Sequence, residues 1–126
     1  MGNQDTEPTS IALKAFHEFK ASHSLVGFET PHFHLWKITV EFKASLPLKG
    51  DRLIDLVLLK EALIEITDPL VGTYLNETLG ASPTSENMAL LIWKKVSERF
   101  PQEPLDSVAV KLCDLNGEAS GEAILS

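Results

Sequence analysis

A single cysteine, Cys113, stands among the 126 residues, so no internal disulfide can staple the chain. That usage fits a reducing compartment, and a cytoplasmic location is the expectation. Nowhere do apolar residues run for the roughly 20 positions that a membrane span needs. The opening MGNQDTEPTS lacks the basic and apolar regions of a secretory signal. Positive charge is scarce: 11 Lys plus Arg against 18 Asp plus Glu leave a net charge of -7. This argues against the broad basic surface through which proteins grip a phosphate backbone. Neither nucleic acid nor a membrane is expected as a partner. Absent too are a glycine-rich phosphate loop and a G-x-S-x-G nucleophile elbow.

What is present suffices for one self-supporting core, with 44% hydrophobic and 23% charged residues. Residues 1–10 read as a disordered polar tail, and 11–126 as a single domain. From Ile11 to Ser22, Leu13, Ala15, Phe19 and Ala21 share one parity while Lys14, Glu18 and Lys20 hold the other, the alternation of a half-buried strand. Ser24 to Pro31 reads as a loop. His32 to Leu46, rich in aromatic and β-branched residues, is a second strand, paired antiparallel with the first.

The period then changes. Leu56, Leu59, Ala62, Leu63 and Ile66 recur at spacings of three and four, which predicts a helix over 53–66 with Asp55 near its start. A long connection leads to Thr84 and Ser85, either able to cap a second helix striped by Met88, Leu91, Ile92 and Val96. Val108, Val110 and Leu112 alternate as a third strand, and Asn116-Gly117 signals a tight turn into a short fourth strand at 123–125. The fold class is α+β, ββααββ: a four-stranded antiparallel sheet with two helices between strands 2 and 3.

Of the four histidines, His23, His32 and His34 fall within one twelve-residue window. His32 and His34 are two apart on a strand, so both project from one face with Cα atoms about 6–7 Å apart, a span two imidazoles can close on a metal ion. His23, ending the neighbouring strand, can supply a third nitrogen. Three such ligands leave a fourth position open, as in a catalytic zinc site. The plainer alternative is three strand histidines without a metal. His17 lies about 20 Å before His23 along an extended strand and reads as a packed or surface residue.

Phe19 to His23, His32-Phe-His34, Leu53-Ile-Asp55, Tyr74-Leu-Asn76 and Pro83-Thr-Ser-Glu-Asn87, in this order over nearly the whole chain, resemble the 6-pyruvoyltetrahydropterin synthase and 6-carboxytetrahydropterin synthase family. The resemblance implies the tunnelling fold (T-fold) and Zn2+ on His23, His32 and His34. It also implies a pterin site between subunits of a homo-hexamer built as two stacked trimers. Thr84, Glu86 and a carboxylate after the third strand then become candidate substrate contacts. Direct alignment puts Leu112 at that carboxylate position, and sliding by one strand period puts Asp114 there.

The departures are specific. Phe33 stands where the family has glycine, adding bulk near the metal. The catalytic cysteine is missing from the loop before His32, and Glu29 stands there, a placement similar to the family branch that uses glutamate; a carboxylate there can act as general base. Val71 and Gly72 occupy the positions of the family's Asp-His proton relay, with Asp68 nearby. Cys113 reads as a small buried hydrophobe.

Two functions follow. One is a zinc-dependent lyase, breaking a carbon-oxygen or carbon-carbon bond in the side chain of 7,8-dihydroneopterin triphosphate or a related dihydropterin. The other is a divergent metal-binding T-fold protein without turnover.

Overall fold

A computed structural model describes residues 6–25 and 30–126. Strands β1 (Ser10–His23), β2 (His32–Ser45), β3 (Leu105–Cys113) and β4 (Ala119–Leu125) form one antiparallel sheet in the order β1-β2-β3-β4. Between β2 and β3 come α1 (Leu56–Thr67), the single turn α2 (Leu75–Thr78) and α3 (Ser85–Arg99), with a 3-10 turn at Asp68–Leu70. This is the expected architecture, with two short helical turns added inside the long connection.

The boundaries have local causes. α1 starts at Leu56 because the Asp55 carboxylate accepts the Val57 and Leu58 backbone N–H groups at 3.0 and 3.2 Å. α3 starts after Thr84, whose hydroxyl accepts the Asn87 N–H at 3.1 Å. β1 takes in Ser10, and the preceding Thr9 carbonyl accepts the Leu46 N–H at 2.9 Å, so order reaches into the segment expected to be a tail. β3 and β4 are longer than the sequence pattern suggests because pairing carries them, Phe42 with Leu105 and Cys113 with Ala119. Between them Gly117 adopts a φ of 89°, which Asn116-Gly117 supplies at little steric cost.

Alternation decides which face is buried. Trp36, Ile38, Val40 and Phe42 of β2 point to the core, and their cross-strand partners Phe19, Ala15, Val108 and Val110 join them. Leu59 and Leu63 of α1 and Met88, Ile92 and Val96 of α3 close over that face. The opposite face has no helix over it among the described residues. Phe16 and Ile124 lie there in one cross-strand row with Thr39 and Ala109, and remain 63% and 67% exposed. Among the described residues no helix is long and apolar enough to cross a membrane.

His17 ties α1 to β1 and takes no part in the histidine cluster. Its Nε2 lies 2.9 Å from the Thr67 hydroxyl, which also bonds the Leu63 carbonyl. Burial and the neighbouring Lys60 ammonium lower its pKa, against the pull of Glu18.

Two outcomes check this packing. Asp55→Ala should cost about 1 kcal/mol and Leu63→Ala about 2–5 kcal/mol in denaturant unfolding; equal costs would contradict the assigned burial. Because the folded state holds His17 neutral, its contribution is complete above the unfolded value of 6.5 and lost as pH falls below it. The stability gap between wild type and His17→Gln should therefore narrow from pH 7.5 to pH 5.5, and a constant gap would contradict the assignment.

Candidate metal centre

The sheet register brings three imidazoles together. His23 is paired directly with His32, and Ala21 with His34, so all three side chains leave the helix-covered face at the end where β1 exits and β2 enters. Ring centroids are 4.9 Å apart for His23–His32 and His23–His34, and 4.6 Å for His32–His34. Each ring offers a nitrogen, and the three nitrogens lie within 4.8 Å of one another. Three nitrogens about 2.1 Å from one zinc in tetrahedral array sit roughly 3.4 Å apart, inside that envelope. Below the cluster, Trp36 packs edge-on against His23 at 5.2 Å and donates its indole N–H to the Ala21 carbonyl at 3.2 Å.

Hydrogen bonding fixes which nitrogen faces inward. Nδ1 of His23 lies 2.8 Å from the Pro83 carbonyl oxygen, Nδ1 of His34 3.1 Å from that of Cys113, and Nδ1 of His32 3.2 Å from that of Thr30. A carbonyl only accepts, so each Nδ1 carries the proton and donates it. In a neutral ring Nε2 is then the lone-pair nitrogen, the tautomer that backbone acceptors impose on metal-ligating histidines. His34 Nε2 is buried with no hydrogen-bond partner among the described residues. An orphaned buried acceptor carries a desolvation cost that a bound cation removes. Burial and the adjacent His23 and His32 rings push the His34 pKa down, outweighing the Cys113 carbonyl and Asp114. The neutral, ligating form is therefore favoured. The donor set fits zinc.

Phe33 does not crowd this centre. It alternates with the two β2 histidines and so faces the other side of the sheet, with Lys20 Nζ 5.3 Å from its ring centre. The bulk expected near the metal is turned away by strand period alone.

The remaining candidates are dispersed. Glu29 lies outside the described residues. Thr84 caps α3 and directly follows Pro83, the residue whose carbonyl receives His23. Glu86, in the first turn of α3, shares a concavity of about 440 Å³ with Leu112 and residues 120–124 of β4. Asp114 is engaged locally: its Oδ1 accepts the Asn116 and Glu118 N–H groups, both at 2.9 Å, and organises the β3–β4 turn. Cys113 is buried, and its contribution to the centre is its carbonyl. At the relay positions Val71 is exposed, and Gly72, with φ of 72°, donates its N–H to the Lys20 carbonyl at 2.7 Å.

Sequence reasoning gave no role to a set of groups beside His23. Asn76 accepts the Ser24 N–H at 2.9 Å and donates to the Ser24 carbonyl at 2.6 Å, and the Tyr74 and Ser24 hydroxyls are 2.6 Å apart. Their sequence signal was Tyr74-Leu-Asn76, visible as a motif but silent about its partner.

Comparison with known proteins bears on the fold and the family. The chain matches the family described as 6-pyruvoyl tetrahydropterin synthase over residues 12–120. Among curated proteins, none matches the chain at the sequence level. Among solved structures, 6-pyruvoyl tetrahydropterin synthase from Caenorhabditis elegans superposes with a TM-score of 0.73 at 16% identity, covering 93% of this chain and 95% of that one. A protein from Wolinella succinogenes gives 0.72 at 13% identity, covering 94% and 98%. The Plasmodium vivax 6-pyruvoyltetrahydropterin synthase, solved with a catalytic glutamate replaced, gives 0.65 at 15% identity, covering 94% and 98%. At these identities the superpositions establish the T-fold, and the sequence match, which spans most of the chain, establishes kinship: the chain belongs to the 6-pyruvoyl tetrahydropterin synthase family.

Proposed function

We propose that the protein is a zinc-dependent lyase acting on the side chain of 7,8-dihydroneopterin triphosphate or a related dihydropterin. The observation that carries this reading is the orientation of His23, His32 and His34, each with Nδ1–H on a backbone carbonyl. Zinc held there would supply a Lewis acid for a side-chain oxygen of the substrate.

The chain's own groups do the rest. Glu29, three residues before His32, would hold and move a proton as general base, the role for which the Plasmodium vivax relative's catalytic glutamate offers a parallel. Thr84, next to Pro83, and Glu86, in the concavity with Leu112 and residues 120–124, would contact the pterin. Asp114 is proposed as a further contact through Oδ2, the oxygen outside its turn bonds. The uncovered sheet face, with Phe16 and Ile124 exposed in one row, supports assembly into a homo-hexamer of two stacked trimers. A free buried Cys113 supports a cytoplasmic location.

One observation favours the second reading, a metal-binding protein without turnover. With Val71 and Gly72 in place of an Asp-His pair, and Gly72 held against β1 by its own N–H, no imidazole can reach the site from there.

Purified protein should hold about one zinc per chain, and His34→Ala should lose it; a wild type that takes up no zinc would contradict both readings. Incubated with 7,8-dihydroneopterin triphosphate and followed by chromatography, the zinc-loaded protein should consume substrate, with Glu29→Gln slower by about 10²–10⁴-fold. Retained zinc with no turnover would support the second reading.

A further inference from the structure

β1 is an edge strand, so its outward N–H and C=O groups need partners from outside the sheet. At its last turn toward the metal centre they come from the connection after α1. The Gly72 N–H donates to the Lys20 carbonyl at 2.7 Å, the Ser22 N–H donates to the Thr73 carbonyl at 2.9 Å, and Ser22 forms a parallel bridge with Tyr74. At Leu75 the connection coils into α2, and its backbone can no longer follow β1. There the Asn76 side chain takes over. A carboxamide presents one acceptor and donors in the same plane, as a peptide group does. Asn76 uses both on Ser24, accepting its N–H at 2.9 Å and donating to its carbonyl at 2.6 Å. Ser24 is 5% exposed, and the one carboxamide closes both of its backbone groups, tying them to α2 in a way that separate waters would not.

His23 sits between the two pinned residues, Ser22 and Ser24. Fixing the backbone on both sides of a strand residue fixes the direction of its side chain. The same connection then reaches the ring itself through the Pro83 carbonyl, 2.8 Å from Nδ1. Thr73, Asn76 and Pro83 thus hold one ligand at three points.

We infer that Asn76 is a positioning residue of the metal centre: by closing both backbone groups of Ser24 it sets the orientation of His23, and with it metal affinity and ligand geometry. The inference rests on the metal reading above. Outer-layer partners of metal-bound histidines are typically worth about 10–100-fold in affinity, and Asn76→Ala should weaken Co(II) binding by that order. The visible ligand-field absorption of the Co(II) protein should also change in shape and intensity, because one imidazole no longer sits in its place. Glu77→Ala, one residue along in the same turn and exposed like Asn76, should leave affinity and spectrum as in wild type.

Co(II) titration of the full chain, with circular dichroism of each metal-free variant, tests this. A lowered thermal midpoint for Asn76→Ala with wild-type Co(II) affinity and spectrum would overturn the inference and leave Asn76 a purely structural residue. If Asn76→Ala does not fold, Asn76→Asp carries the test. It matches the side chain in size and keeps the acceptor for the Ser24 N–H, yet removes the donor to the Ser24 carbonyl, so its Co(II) spectrum should still depart from wild type; an identical spectrum and affinity would overturn the inference. Failure of wild type to bind Co(II) would overturn the metal reading and this inference with it, whereas equal binding by wild type and Asn76→Ala overturns the inference alone.

Discussion

Three hydrogen bonds from imidazole Nδ1–H to backbone carbonyls are the constraint on which the site depends. An imidazole has two nitrogens and can present either; the Pro83, Cys113 and Thr30 carbonyls decide the matter for His23, His34 and His32. These acceptors come from three separate parts of the chain: the segment leading into α3, the end of β3, and the residues just before β2. The centre therefore exists only when sheet, helices and connections have all come together. Its geometry is a property of the whole fold.

The sheet supplies the other half of the arrangement. Period-two alternation sends Trp36, Ile38, Val40 and Phe42 into the core and continues without a break to His34 and His32, so the polar site is an extension of the hydrophobic face. That continuity explains why His23 is only 2% exposed yet carries a polar ring: one nitrogen is satisfied by a carbonyl and the other faces its two neighbours. The same alternation turns Phe33 away from the two histidines it separates.

Much of this was legible in the sequence, for physical reasons that also mark its limits. Strands and long helices announce themselves through side-chain period, and Asp55 and Thr84 through capping chemistry, so the order ββααββ and the histidine cluster could both be read. Backbone acceptors leave no such trace. Nothing in the identity of Pro83 or Cys113 says that its carbonyl will meet an imidazole. The short turns at Asp68–Leu70 and Leu75–Thr78 leave no such signal because each is a single turn closed by local bonds, such as Val71 N–H to the Asp68 carbonyl and Leu79 N–H to the Leu75 carbonyl, too short to show a side-chain period. Asp114 lies two residues before Asn116 on the edge of a turn, where an aspartate commonly accepts nearby backbone N–H groups. Its turn role is readable from that spacing. Kinship with the 6-pyruvoyl tetrahydropterin synthase family accounts for the motifs that the sequence displays.

The central claim, that three histidine nitrogens and no sulfur hold a zinc ion, is tested most directly by zinc X-ray absorption on the purified protein. The account predicts a first shell of nitrogen or oxygen scatterers at about 2.0–2.1 Å. It also predicts the multiple-scattering features of about three imidazoles. A sulfur contribution at about 2.3 Å, which would bring in Cys113, or fewer than three imidazoles, would contradict it.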